Sequence, residues 1–298
     1  MPPETPNREL SPDWTATSQA ILGPMGGDLL HFMRQVFFGE VSSVDQTVSR
    51  VALQLGWITK DGNGQLKLTR HGGHVADSAR EYCNWLDDGR GLPSAITEED
   101  IQGKAVLDIG CGFGRYVFAA SHSASLAVGL EAEQTYLEMS SVLGLKEGVS
   151  SAYFVRGTGE KLPFTGGSFD TIICIRSLWY MDAFIAVPEI ARILKIGGRL
   201  FLVYNTFQRF FVEMKGTSQQ SLRIRQKLGI AEKMINSLSL SWTGKKIFSR
   251  KSNGTTGTYN YLTMRRILSI TESAGLRLVD RSVQSSAAEQ LFIFERIR

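Results

Sequence analysis

The sequence predicts an α/β fold, with a seven-stranded, mostly parallel sheet that carries helices on both faces and follows a small, mainly helical domain. From residue 101 onward, short apolar segments alternate with helical patterns, which is typical of strands joined by crossover helices. A glycine-rich loop follows the first of these apolar segments. Before residue 100 the apolar side chains recur at helical spacing, interrupted by one short hairpin pattern.

The first hundred residues predict a tail and a small domain. Residues 1–18 are rich in Pro, Thr and Ser and predict a mobile tail. Residues 19–100 predict a winged-helix-like domain, with helices over 29–37 and 44–55, a hairpin around the turn at 61–64, and a third helix over 73–86. The Asp-Gly and Asn-Gly pairs in that turn are a strong hairpin signal.

The remaining residues, 101–298, predict the parallel sheet. Its first five strands are expected over 105–109, 126–131, 152–156, 170–175 and 199–204, with helices over 114–121, 133–143 and 183–195. Alternating apolar residues predict two last strands, over 277–283 and 290–296, which form an antiparallel hairpin at one edge of the sheet. Between them and the fifth strand lies a 56-residue insertion, 205–260, with ten Lys and Arg against two Asp and Glu, a net charge of +8.

Length and composition place the chain among ordinary globular proteins. Its 298 residues fit about two domains, and 43% of them are hydrophobic. No uninterrupted apolar run reaches the ~18 residues of a membrane span, and the N-terminus does not have the pattern of a secretory signal. Cys83, Cys111 and Cys174 are dispersed and lack metal-ligand spacing. The sequence therefore predicts a cytoplasmic protein with reduced cysteines, no membrane span and no metal.

The segment from Ala105 to Gly114 is an apolar strand that ends in an acid and continues into three glycines and a helix. Glycines let the backbone turn sharply and approach a ligand, and the helix that follows presents its N-terminus. Arg115 stands where a dinucleotide fingerprint has its last small residue. A carboxylate at Asp108 repels a pyrophosphate and attracts an ammonium group. The loop therefore favours a cofactor with a positive group and no phosphate.

The stretch Val106–Gly114 resembles the first motif of class I S-adenosylmethionine-dependent methyltransferases of the type 11 kind. Four further blocks of that family follow in order, at 128–131, 154–164, 168–174 and 189–200. The resemblance implies a Rossmann-like sheet, S-adenosylmethionine as the cofactor, S-adenosylhomocysteine as its product and no metal. It also implies transfer of a methyl group by in-line displacement, in which positioning and desolvation are the protein's contribution.

The resemblance also implies which residues bind the cofactor. They are Asp108, Gly110, Cys111, Gly112, Gly114, Glu131, Thr158, Gly159, Glu160 and Arg176. Asp108 is expected near the methionine ammonium, and Glu131, 17 residues after Gly114, at the ribose hydroxyls. Thr158 stands where relatives often have Asp, so adenine is expected to meet an uncharged group there. Arg176, just past the fourth strand, is expected to face the methionine side.

Aromatic residues with polar tips predict the acceptor site, because such side chains suit small-molecule pockets. The candidates are Tyr82, Trp85, Trp179, Tyr180, Tyr204, Asn205, Tyr259 and Tyr261. The insertion follows the carboxyl end of the fifth strand, so it is interpreted as a lid over the acceptor, and its charge favours an anionic acceptor. His31 is the candidate general base for an O-methylation, although the acceptor atom, whether oxygen, nitrogen or sulfur, stays open.

A small-molecule acceptor is favoured over two alternatives. A nucleic-acid methyltransferase would use the winged helix and the basic insertion as grips, but the second helix offers only Arg50 as a cation. The motif of enzymes that methylate exocyclic base amines or glutamine is also absent, since Cys174-Ile175-Arg176-Ser177 stands in its place. The other alternative is a regulator that binds S-adenosylmethionine without transferring its methyl group. By resemblance, the N-terminal domain is expected to form a homodimer and to cover the acceptor.

Overall fold

The computed structural model describes residues 12–40, 45–211, 224–244, 247, 261–283 and 289–298. The chain divides into two compact units. The first comprises residues 1–95 and 111–156, and the second comprises residues 96–110 and 157–298.

The first unit begins with four helices and a hairpin. They are α1 (Pro12–Leu22), α2 (Gly26–Phe38), α3 (Gln46–Gln54), the strands β1 (Ile58–Lys60) and β2 (Leu66–Leu68), and α4 (Arg70–Asp87). The Asp45 side chain caps α3 by accepting from the amide of Thr47, and the Thr69 hydroxyl caps α4 in the same way. Helix, helix, hairpin and helix occur in the predicted order, and the winged-helix classification stays a prediction.

The prediction of a mobile tail over residues 1–18 is wrong from Pro12 onward, because α1 starts there. Trp14 and Thr17 on this helix are buried. The indole N–H of Trp57 donates to the hydroxyl of Thr17 at 3.1 Å, and the Trp14 ring meets His71 edge-on at 4.9 Å. These tertiary contacts hold the helix in place, and the composition of the segment does not reveal them.

The rest of the first unit consists of α5 (Arg115–Ala120), β4 (Leu126–Glu131), α6 (Gln134–Lys146) and β5 (Ala152–Arg156). The strands β4 and β5 are parallel. Trp85 of α4 lies 5.9 Å from Phe118 of α5, and Phe118 lies 5.8 Å from Phe154, measured between ring centroids. The N-terminal helices and these elements therefore share one hydrophobic core.

The second unit contains the other strands. They are β3 (Ala105–Ile109), β6 (Phe169–Ile175), β7 (Leu194–Asn205), β8 (Leu276–Val283) and β9 (Glu289–Arg296). Its α-helices include α7 (Ala183–Ile193), α8 (Ile224–Thr243) and α9 (Met264–Ser273). Parallel pairing joins β3 to β6 and β6 to β7, and antiparallel pairing joins β7 to β9 and β9 to β8. Seven strands form one sheet in the order β5-β4-β3-β6-β7-β9-β8, which confirms the predicted fold class and the antiparallel edge hairpin.

The start of β7 differs most from its prediction, since the other strand ends of this sheet agree with theirs to within one residue. β7 begins at Leu194 and α7 ends at Ile193, whereas the sequence predicts a strand from 199 and a helix to 195. Leu194 already pairs with Phe169 of β6. A side chain at Gly198 would also lie 2.8 Å from the carbonyl oxygen of Asp170, so close strand packing requires glycine there.

Within the described ranges, no helix combines the length and apolarity that crossing a bilayer requires. The three cysteines are buried and none is in a disulfide. No cluster of three or more His, Cys, Asp or Glu in the described part of the chain has the arrangement of a metal site.

Candidate functional site

In the second unit, the loop after β3 is packed tightly against the loop after β6. Gly110 has a φ of +71°, and a Cβ added there would overlap the Cβ of Ser177. The Ser177 hydroxyl donates to the carbonyl of Ile109 at 2.6 Å. Both the positive φ and the contact with Ser177 therefore require glycine at this position.

In the first unit, the other two glycines differ in their surroundings. Gly112 has a φ of +54°, and a Cβ added there would meet nothing within 4 Å. Gly114, at a φ of +95°, precedes the first turn of α5, and a Cβ there would lie 2.7 Å from the Phe154 ring. The amide of Cys111 donates to the carbonyl of Leu130 at 3.1 Å, which fixes the loop against β4. Only Gly112 thus faces open space that a ligand could enter.

Glu131 ends β4 and holds the glycine loop. One carboxylate oxygen accepts from the amide of Gly112 at 3.0 Å. The other accepts from the amides of Ala132 at 2.8 Å and Glu133 at 3.0 Å. Charge-assisted bonds to backbone amides are strong and directional, so this carboxylate is fixed at the end of its strand.

Asp108 lies on β3, with 3% of its surface exposed. Burial raises the pKa of the neighbouring Cys174 thiol to about 12, the hydrogen bond with Ser177 lowers it, and the charge of Asp108 raises it further. The Cys174 thiol is therefore protonated at neutral pH. The Asp108 carboxylate lies at the buried end of β3, where a cationic ligand group is favoured.

The loop at Thr158 packs onto the start of α7. Thr158 itself is exposed and forms a single bridge with Lys161. A Cβ on buried Gly159 would overlap the sulfur of Met181. The Glu160 carboxylate accepts from the amide of Asp182, the N-cap residue of α7, at 2.8 Å. Glu160 therefore orients this loop.

Arg176 follows β6 in a left-handed conformation, with a φ of +58°. Its guanidinium donates twice to the carboxylate of Glu289, from Nε at 2.7 Å and from Nη2 at 3.0 Å. Glu289 is buried and opens β9, where it pairs with Asn205 of β7. Arg176 thus forms a bidentate ion pair with Glu289 at the carboxyl edge of β6 and β7.

Four of the described aromatic side chains near that edge pack together and are called the aromatic group. They are Trp179, Tyr204, Phe210 and Tyr261. The ring of Trp179 lies 6.3 Å from Tyr204 and 6.1 Å from Tyr261, which lies 4.9 Å from Phe210. The Tyr204 hydroxyl accepts from the amide of Leu262 at 3.0 Å, and burial raises its pKa. The structure therefore brings together three of the predicted acceptor residues.

At this edge, two predicted acceptor residues each have a buried polar atom with no hydrogen-bond partner among the described residues. These atoms are the indole nitrogen of Trp179 and the Oδ1 atom of Asn205, and each residue is only 6% exposed. Buried polar atoms that lack a hydrogen-bond partner are rare in proteins, so each one calls for a physical explanation.

The structure places the other predicted site residues differently. Tyr82 and Trp85 are buried in the aromatic core of the first unit, and the Tyr82 hydroxyl donates to Glu147. This gives both a packing role. His31 is exposed on α2, with its ring 3.4 Å from the amide of Gln35. Tyr180 is half exposed beside Trp179, and Tyr259 lies outside the described residues.

Two residues at the edge of β7 were missing from the sequence prediction. Glu289 lies 113 positions after its partner Arg176, and no motif signals the pair. Phe210 lies in the insertion, where the sequence holds several aromatic residues, and its contact with Tyr261 is what distinguishes it. Both depend on contacts between segments that are distant in sequence.

Comparison with known proteins supports the same interpretation. Residues 107–202 match the family described as methyltransferase domain. These residues span β3 to β7, which hold the glycine loop and Glu131. The chain carries a class I, S-adenosylmethionine-dependent methyltransferase domain. The predicted family is thereby confirmed.

Two curated relatives illustrate the range of matches to this methyltransferase domain. The chain is 39% identical over 99 residues to an uncharacterised methyltransferase, YcgJ, of Bacillus subtilis, covering 33% of this chain and 39% of that protein. It is 32% identical over 108 residues to a demethylmenaquinone methyltransferase of Lactococcus lactis, covering 35% and 43%. The chain spans less than half the length of the curated relatives it matches.

Among solved structures, a methyltransferase described as S-adenosylmethionine-dependent, from Methanosarcina mazei, superposes with a TM-score of 0.50 at 16% identity. The superposition covers 70% of this chain and 99% of that one. At this level of identity it supports the fold.

Proposed function

We propose that the protein binds S-adenosylmethionine and transfers its methyl group to a small-molecule acceptor. The glycine loop carries this proposal, because Gly112 combines a positive φ with open space on its Cβ side. The buried Asp108 and the fixed Glu131 supply the two carboxylates that an ammonium group and a ribose diol need.

The residues that hold the cofactor are those that the resemblance implies. In the first unit, the proposal assigns backbone contacts to Cys111, Gly112 and Gly114, and the ribose hydroxyls to Glu131. In the second unit, it assigns the methionine end to Asp108, Gly110 and Arg176, and the adenine to Thr158, Gly159 and Glu160. A carboxylate has about four acceptor positions. Bonds to backbone amides occupy three of them on Glu131 and one on Glu160, so each carboxylate retains a position for a ligand hydroxyl or amine.

When bound, the cofactor supplies a methyl carbon whose bond to sulfur breaks as its bond to the acceptor atom forms, leaving S-adenosylhomocysteine. The chain's own contribution is to position the acceptor and to exclude water. Holding reactants in line can contribute roughly 7–11 kcal/mol, so the reaction does not require a strong base. His31 is exposed, and an exposed ring lacks the fixed environment that positions a general base.

Helix α8 supports the proposal that the insertion covers the acceptor. Ser237 on this helix accepts from the amide of Tyr261 at 3.1 Å, and Ser241 accepts from the amide of Thr263 at 3.1 Å. Both serines are buried, so α8 packs beside the aromatic group and is not a helix surrounded by solvent. The homodimer and the cytoplasmic location remain predictions from the sequence.

Incubation of the purified protein with methyl-labelled S-adenosylmethionine and a cell extract from its source tests the proposal. We expect the label to move into the small-molecule fraction, where mass spectrometry names the product. Label in nucleic acid or protein would contradict the small-molecule acceptor. Cofactor binding without any transfer of label would favour the regulator instead.

A further inference from the structure

We infer that the acceptor is an uncharged, planar, largely apolar molecule with a hydrogen-bond donor and an acceptor, such as a hydroxylated aromatic ester or ketone. The inference rests on the proposed function and names the substrate class of the same site. Two atoms carry it, the indole nitrogen of Trp179 and Oδ1 of Asn205, because both are buried without a hydrogen-bond partner in the described part of the chain.

The two atoms have complementary chemistry. An indole N–H can only donate, so Trp179 needs an acceptor atom on the ligand, such as a carbonyl oxygen. Oδ1 of Asn205 can only accept, so it needs a hydroxyl or an amine. Trp179 packs against Tyr204, the residue before Asn205, so the two side chains belong to adjoining segments at this edge.

The surroundings favour a flat apolar body. Trp179, Tyr204, Phe210 and Tyr261 are all at most 6% exposed, and their rings meet at tilted or edge-on angles. Aromatic faces and edges in such an arrangement favour another ring. The Tyr204 hydroxyl already accepts from the amide of Leu262, so we give this residue a structural role beside the ligand.

The charges at this edge favour an uncharged ligand. Arg176 is paired twice with Glu289, so its charge is compensated beside Asn205. The members of the aromatic group and Asn205 carry no charge, and an ionised ligand buried among them would lose its hydration without gaining a counter-ion. Taken alone, the net charge of +8 over the whole insertion would favour an anionic ligand instead. Among the described cations of the insertion, Arg209 stands next to Phe210 in the chain, so Arg209→Gln tests this alternative.

The location fits an acceptor. Asn205 ends β7, Arg176 follows β6, and Asp108 lies near the end of β3, on three neighbouring parallel strands. Neighbouring strands lie about 4.8 Å apart, so β7 lies about 10 Å from β3. The Trp179 nitrogen and Asn205 Oδ1 therefore lie at the sheet edge to which the proposal assigns the methionine end of the cofactor.

Calorimetry with two matched probes tests the inference, in the presence and absence of S-adenosylhomocysteine. Methyl 4-hydroxybenzoate is uncharged and has both the donor and the acceptor, whereas 4-hydroxybenzoate is an anion of nearly the same shape. We expect the ester to bind at least tenfold more tightly than the acid. Trp179→Phe and Asn205→Leu should each weaken ester binding at least tenfold and leave the binding of S-adenosylhomocysteine within twofold.

Two variants serve as controls. Trp57→Phe makes the same change where the indole N–H has a partner, Thr17, and should lower the Tm more than Trp179→Phe while leaving ester binding within twofold. Arg209→Gln should also leave ester binding within twofold. A preference for the acid, loss of binding in Arg209→Gln, or no ester binding would overturn the inference.

The failures of the two proposals are distinguishable. A protein that does not bind S-adenosylmethionine would refute the proposed function. A protein that binds it and methylates small molecules, yet prefers anions or tolerates both Trp179→Phe and Asn205→Leu, would refute only the acceptor class.

Discussion

Replacing Gly110 with alanine should destabilise the fold more than the same change at Gly112. Both residues have a positive φ, which costs an L-residue about 1–2 kcal/mol. At Gly110 the new Cβ would also overlap the Cβ of Ser177 and lie 3.0 Å from its hydroxyl oxygen. Overpacking of this kind costs roughly 1–3 kcal/mol. We therefore expect about 2–5 kcal/mol for Gly110→Ala and about 1–2 kcal/mol for Gly112→Ala.

Urea denaturation and calorimetry with S-adenosylmethionine separate the two glycines. Gly112→Ala should weaken cofactor binding, because its Cβ enters open space that the proposal gives to the ligand. The double variant Gly110→Ala/Ser177→Gly should recover the steric part of the loss and retain the cost of the positive φ. Equal destabilisation by Gly110→Ala and Gly112→Ala would refute the packing argument.

Three further predictions concern single side chains. Glu131→Ala should weaken S-adenosylmethionine binding at least tenfold, because charge-assisted hydrogen bonds contribute ~1.5–3 kcal/mol, and unchanged affinity by calorimetry would count against the assignment. Tyr204→Phe should lower the free energy of unfolding by ~1–3 kcal/mol, because the buried amide of Leu262 loses its acceptor; urea denaturation checks this, and an unchanged midpoint would contradict it. Burial raises the pKa of Cys174 from its ordinary 9.0 to about 12, so stability that is fully present below pH 9 should fall as the pH rises toward 12. Cys174→Ala should flatten this pH dependence in denaturation experiments, and identical slopes would refute it.

The sequence predicted most of the sheet because each strand carries its own local signal. The strands β3, β4 and β5 occur at the predicted residues, since an apolar run bounded by loop residues marks each of them. β7 is longer than predicted because its first residues pair with β6, and pairing is not a local property.

The N-terminal tail and the acceptor site show where sequence reasoning stops. Helix α1 overlaps the segment rich in Pro, Thr and Ser, and the bond between Thr17 and Trp57, 40 positions apart, holds it in place. Tyr82 and Trp179 look alike in the sequence as aromatic residues with polar tips. The structure gives the Tyr82 hydroxyl a partner in Glu147 and leaves the Trp179 nitrogen without one in the described residues.

The sequence by itself determined the fold class, the family and the glycine loop, because periodicity, strand-ending acids and glycine spacing are written in consecutive residues. The tertiary structure decided why each glycine is needed and that Arg176 is paired with Glu289. It also decided that Asn205 and Trp179 hold buried polar atoms for which the described residues offer no partner. Each of these properties depends on groups that are distant in the sequence and that folding brings together. Hydrogen-bond satisfaction and steric overlap act over a few ångströms in space, whatever the separation along the chain.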